Sequence, residues 1–246
     1  MGKQTADRWG GWQRWSATTL WIGLLVATAV GLLIAGWETA PAPRFLVGVG
    51  GGLLAVSVVI GRPISRAPDQ PVTLATTVTL SRGAALAVFA GFLPVGLPSG
   101  RFVWLPAALF ALAAGLDAID GRIARRMDAV SELGGRLDTE MDGLTVLFGT
   151  VFVVTADLVP AVFLLVGVAR YLFVAGIWLR KRRGLPVEPL PPSQLRRLLG
   201  GLAMGAIWLA LLPVPGATAS RLVALAVFVP FVLNFSRDWL AVSGRR

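Results

Sequence analysis

Apolar runs long enough to cross a bilayer recur along the chain, near residues 17 to 36, 45 to 61, 74 to 96, 102 to 121, 137 to 157, 159 to 179, 197 to 213 and 219 to 241. A helical span needs roughly 20 residues, and the shorter runs reach that length with their flanks. The spacing predicts an all-α polytopic membrane helical bundle of eight helices. Composition agrees, because 55% hydrophobic and 15% charged residues is too apolar a balance for an ordinary soluble domain.

A net charge of +10 would suit nucleic acid if the arginines formed one patch, but they fall in alternate connections. Lys3, Arg8 and Arg14 precede the first run, Arg62 and Arg66 follow the second, and Arg122, Arg125, Arg126 and Arg136 lie between the fourth and fifth. The run 180–183 with Arg196 and Arg197 follows the sixth, and Arg245 and Arg246 come last, whereas the other connections hold only Glu38, Arg44, Arg101, Asp157 and Arg221. By the positive-inside rule the basic connections and both termini are cytoplasmic. The expected partners are membrane lipids, anionic headgroups gaining about 1 kcal/mol per basic residue at the surface, and no nucleic acid. Arginine used almost to the exclusion of lysine points to a GC-rich prokaryotic genome, hence a prokaryotic cytoplasmic membrane. The first run is too long, and its nearest candidate site (Glu38-Thr39-Ala40, then Pro41) too poor, for a cleaved signal peptide. Without cysteine there is no disulfide or thiol chemistry.

A polar, proline-containing break, Arg62 to Gln70, separates the first two runs from the other six and predicts two modules, residues 1–68 and 69–246. Gly48, Gly50, Gly51 and Gly52 read as close helix packing, since a phosphate loop needs a preceding strand. A second break, Gly184 to Ser193, holds prolines that prevent continuous helix. Trp9, Trp12, Trp15, Trp21 and Trp37 read as interface anchors.

Asp117, Asp120, Asp138 and Asp142 stand where so apolar a chain should hold no carboxylates. Residues three and four apart share a helix face, so Asp117, Asp120 and Ala124 form one stripe and Gly134, Asp138 and Asp142 another. Four carboxylates that close repel one another, and each is costly near hydrocarbon, so the pattern asks for one or two divalent cations. Oxygen donors in a chain without Cys or His favour Mg²⁺, Mn²⁺ or Ca²⁺ over zinc. Asp128, Glu132 and Glu140 fall outside the two faces and read as solvated or headgroup-facing.

The full pattern, Asp117-x-x-Asp120-Gly121-x-x-Ala124-Arg125, then Gly134-x-x-x-Asp138-x-x-x-Asp142, resembles the complete signature of the CDP-alcohol phosphatidyltransferases. The resemblance implies a six-helix catalytic core over residues 69–246, with the first two transmembrane helices as an extension. It implies two divalent cations, Mg²⁺ or Mn²⁺, on Asp117, Asp120, Asp138 and Asp142, with Asp142 also the general base. Gly121, Ala124 and Gly134 would let the CDP group approach the backbone, and Arg125 would bind the diphosphate. A Pro-Asn then Thr-x-x-Arg feature of the family is partly present: Thr79 and Arg82 remain, the Pro-Asn is absent, and Thr76 could offer a hydroxyl instead.

Arg170 lies deep in the apolar run 162–179, where an arginine either pairs with a carboxylate or binds an anionic substrate group; Arg82 is in the same position. Arg237 and Asp238 are expected to pair with each other. The main reading is an enzyme moving a phosphatidyl group from CDP-diacylglycerol to a small polar alcohol with release of CMP, in phospholipid biosynthesis. Within the same signature the donor could be another CDP-alcohol, a CDP-aminoalcohol acting on diacylglycerol. A cation transporter or channel would explain the carboxylates but not Gly121, Ala124, Arg125 and Gly134. Arg82, Arg170 and the run 180–183 favour a phosphorylated polyol as acceptor, and a homodimer is compatible with the reading.

Overall fold

The structure is a computed structural model that describes residues 23, 26–37, 41–66, 74–126, 132–214 and 216–244; the side chains of 62–66, 74–77, 116–126 and 132–134 lie outside that description. In hydrocarbon an unpaired backbone N–H or C=O is expensive, so such a chain closes its hydrogen bonds within each segment. The described residues form eight α-helices and no strand: α1 (Val26–Gly36), α2 (Ala42–Arg66), α3 (Leu74–Ala90), α4 (Leu105–Arg126), α5 (Glu132–Thr155), α6 (Leu164–Arg182), α7 (Gln194–Leu211) and α8 (Gly216–Val242). Each predicted apolar run is met by one of them. Among the described residues three segments, Ala42–Gly61, Ala161–Arg182 and Gly216–Val242, are long and apolar enough to cross a membrane, with mean hydropathies of 1.9, 2.1 and 1.8. The chain divides into two compact units, 1–145 and 146–246, the division falling within α5.

In the first unit α3 packs against both α2 and α4. Apolar nearly all round, it is enclosed from Ala85 through Ala90. Phe45, Val49, Val56 and Ile60 make the buried stripe of α2, at helical spacing. Two of the four glycines predicted for close packing sit on that stripe. A Cβ on Gly48 would lie 2.5 Å from the Ala90 carbonyl oxygen and one on Gly52 2.7 Å from the Ala90 side chain, whereas Gly50 and Gly51 have nothing within 4 Å. Trp37 joins Phe45, Phe92 and Phe102 in a ring cluster, with centroids 5.8 to 6.2 Å away. Trp9, Trp12, Trp15 and Trp21 lie outside the described residues.

Two helix ends differ from the expectation. The run predicted to 96 leaves α-helix at Ala90, where Gly91, Phe92 and Leu93 bond back to Val88, Phe89 and Ala90 at 3.0, 3.0 and 3.1 Å. Pro94 contributes no N–H and disfavours helical geometry at Leu93. Conversely, α2 runs to Arg66 through the predicted break, because Pro63 forfeits one intrahelical bond without ending the helix; Pro230 sits inside α8 in the same way. Residues 67–70 of that break lie outside the described residues.

In the second unit α8 packs against α7 and α6. The ring of Phe173 meets Phe235 and Trp239 at 5.9 and 5.8 Å. As the prolines predict, 185–193 is non-helical, and it is pinned to the end of α8 by Glu188 N–H donating to the Val242 carbonyl at 3.1 Å. Ser193 caps α7, accepting from the Arg196 N–H. The pairing expected between Arg237 and Asp238 is replaced by one between helices. Arg196 Nε meets Asp238 Oδ2 at 2.9 Å, and Asn234 donates to the same oxygen at 3.1 Å. Successive helix residues point about 100° apart, so Asp238 faces α7 rather than its neighbour.

Candidate active site

The acidic motif lies in the first unit, on α4 and the N-terminal part of α5. Asp117, Asp120, Gly121, Ala124 and Arg125 lie on the last turns of α4, and Gly134 on the first turn of α5. Their side-chain environments lie outside the described residues, as does that of Thr76. Asp138 and Asp142 follow on α5, one turn apart on one face. The flank of that stretch that carries Leu137, Met141 and Leu144 is core, and Thr145, one turn beyond Asp142, is buried as well. The two carboxylates are 37 and 34% exposed, so they are held by the protein yet reachable. Glu140, between them, is half-buried on another face.

What holds them is Arg82. Its side chain is 1% exposed, on α3 beside Gly83, whose missing Cβ would stand 2.8 Å from Val56. One guanidinium nitrogen, Nη1, donates to Asp138 Oδ1; the other, Nη2, donates to Asp142 Oδ1 at 2.5 Å. Nε donates to the Ala113 carbonyl of α4 at 2.7 Å. Thr79, one turn earlier on α3, is buried too. Of the two partners open to an intramembrane arginine, Arg82 therefore takes the carboxylates. The carboxylate repulsion inferred from the sequence is met at Asp138 and Asp142 by a guanidinium of the chain itself. The Ala113 carbonyl, a backbone group, left no signal in the side-chain pattern.

The donor set fits a hard divalent cation. Asp138 and Asp142 offer oxygen only, a carboxylate can accept more than one partner, and neither is sealed from the outside by Arg82. Among the described residues no group of three or more acidic, His or Cys side chains lies together, and the Asp117 and Asp120 side chains are not among those described.

Arg170 lies on α6 in the second unit, half-buried beside Val166, Gly167 and Ala169. An open groove of about 740 Å³ in that unit is lined by Pro191, Ser193, Arg196, Asn234, Arg237 and Asp238, none of them a predicted site residue.

Residues 72–241, well over half of the chain, match the family model described as CDP-alcohol phosphatidyltransferase. No curated relative and no solved structure matches.

Proposed function

The chain belongs to the CDP-alcohol phosphatidyltransferase family, membrane transferases of phospholipid biosynthesis, and from that premise we propose that it transfers a phosphatidyl group from CDP-diacylglycerol to a small polar alcohol. The observation that carries the reading is the complete aspartate motif on α4 and α5, with its two α5 carboxylates held together by Arg82. Asp142, reachable and oriented by Arg82, accepts the proton of the acceptor hydroxyl as general base. The hydroxyl oxygen then bonds to the phosphorus distal to cytidine, and the bond from that phosphorus to the CMP oxygen breaks. Arg125 binds the diphosphate, and Gly121, Ala124 and Gly134 leave the backbone of α4 and α5 open to the nucleotide. Thr79 and Arg82 line the α3 side of the site. The family is generally divalent-cation dependent. Here Asp117, Asp120, Asp138 and Asp142 would hold two ions, Mg²⁺ or Mn²⁺, which neutralise charge on the phosphoryl oxygens when bound. In phosphoryl transfer, positioning and charge neutralisation supply most of the catalysis, and this residue set offers both.

Residues 69–246 are proposed as the catalytic domain and 1–68 as an extension, a reading supported by the family match beginning at residue 72. The alternation of arginine-rich connections supports a cytoplasmic active site in a prokaryotic membrane. Arg170, a cation within an apolar helix, supports an acceptor bearing an anionic group such as a phosphorylated polyol.

The test is purified protein incubated with CDP-diacylglycerol and a panel of acceptors, with CMP release measured and the lipid product identified by mass. Excess chelator should abolish turnover, and added Mg²⁺ or Mn²⁺ should restore it. Full turnover in chelator would remove the metal from the scheme. CMP released only from a soluble CDP-aminoalcohol with diacylglycerol would reverse the lipid's role. Arg170→Ala should raise the KM of an anionic acceptor and leave the CDP-lipid KM alone.

A further inference from the structure

We infer that Arg82 is the positioning residue of this site: from a third helix it locks both α5 carboxylates against the turn of α4 that leads into Asp117. It thereby sets the register between the two halves of the motif. The inference rests on the proposed metal reading and assigns Arg82 to the metal's ligands rather than to a substrate phosphate.

The guanidinium is a rigid planar fork with five N–H donors, and three of its nitrogens are engaged in three directions. Two go to Asp138 and Asp142 on α5, and the third to the carbonyl of Ala113 on α4. In a regular helix that carbonyl also accepts the backbone N–H of Asp117, four residues on. Arg82 therefore grips α4 at the hydrogen bond that seats Asp117, while gripping both ligands of α5. At 1% exposure it has no face turned to solvent from which an incoming anion could be met. The two carboxylates, by contrast, keep about a third of their surface. Arg82 thus stands on the protein side of the ligands, whose exposed surface is where an ion can reach them. Groups that orient metal ligands from behind typically change affinity about 10- to 100-fold when lost. Lysine cannot replace the fork, since a point-like ammonium does not reach three divergent acceptors with planar geometry.

The experiment is Mn²⁺ binding by the full chain in detergent, read from the paramagnetic resonance of free Mn²⁺, for wild type, Arg82→Gln and Arg82→Lys. Each protein is first shown to keep a cooperative thermal unfolding transition. Mn²⁺ affinity should fall about 10- to 100-fold in both variants. Turnover should fall with it, while the acceptor's KM stays at the wild-type value. Wild-type or tighter Mn²⁺ binding in either folded variant overturns the positioning role and leaves the metal reading standing. A defect confined to the acceptor's KM also overturns it, returning Arg82 to the substrate. Should Arg82→Gln leave the carboxylates too poorly compensated to fold, Arg82→Lys, which keeps the charge, decides alone. Wild-type protein that binds no Mn²⁺ overturns the metal reading, and this inference with it.

Discussion

Asp142 has two duties in the proposed reaction, and an amide separates them. Asp142→Asn keeps the size and one oxygen donor but can no longer take a proton, so CDP-lipid binding should survive in part while kcat falls by roughly 10² to 10⁴. Asp117→Asn removes a ligand with no proton-transfer duty, and should weaken metal and nucleotide binding together. Titrating both variants with Mn²⁺ and CDP-diacylglycerol checks this; equal loss of metal binding in the two would merge the roles. At this scale the motif was legible because carboxylates amid apolar residues need a reason to be there. The partners of Arg82 were not, since they lie 56 and 60 residues away and no local spacing records them. Burial cost alone narrowed Arg82 to a carboxylate or an anionic substrate, and tertiary packing chose the first. The Arg196–Asp238 pair escaped the sequence for the same reason: adjacency in sequence made Arg237 look like the partner, although the helix turns it away.

The helices were legible because each apolar run carries its own length requirement. Their ends were not. Proline stops α3 near Pro94 yet is carried within α2 at Pro63, and which outcome follows depends on what else can satisfy the freed carbonyl. The packing of α2 on α3 gives a prediction at this level. Glycines allow close backbone approach where helices meet in lipid, and of the five in α2 only Gly48 and Gly52 do so here. Gly48→Leu or Gly52→Val should overpack the contact with Ala87 and Ala90 and cost about 1 to 3 kcal/mol. Gly50→Ala, facing open space, should leave stability within about 0.5 kcal/mol. Denaturant unfolding of the three detergent-solubilised variants checks the order; equal losses at positions 48 and 50 would mean the glycines are not a packing face.

For the whole molecule, the question is what the two N-terminal helices contribute beside a family match that begins at residue 72. The buried stripe of α2, from Phe45 through Ile60, covers α3, the helix that carries Arg82. In water, stripping that cover would expose apolar surface and cost a large hydrophobic term. In a bilayer the exposed face meets lipid tails that are just as apolar, so the loss is mainly the van der Waals fit of the Gly48 and Gly52 contacts. The three described Arg82 bonds go to α4 and α5, and the truncation leaves those in place. A chain beginning near Gln70 should therefore insert, keep CDP-lipid binding and metal-dependent CMP release, and unfold at a lower temperature than the full chain. Binding of CDP-diacylglycerol to the purified truncated protein, alongside its thermal unfolding in the same detergent, measures both halves of that expectation. If the truncated protein is folded and inserted yet no longer binds CDP-lipid, α2 belongs to the catalytic unit and the boundary near residue 69 is misplaced.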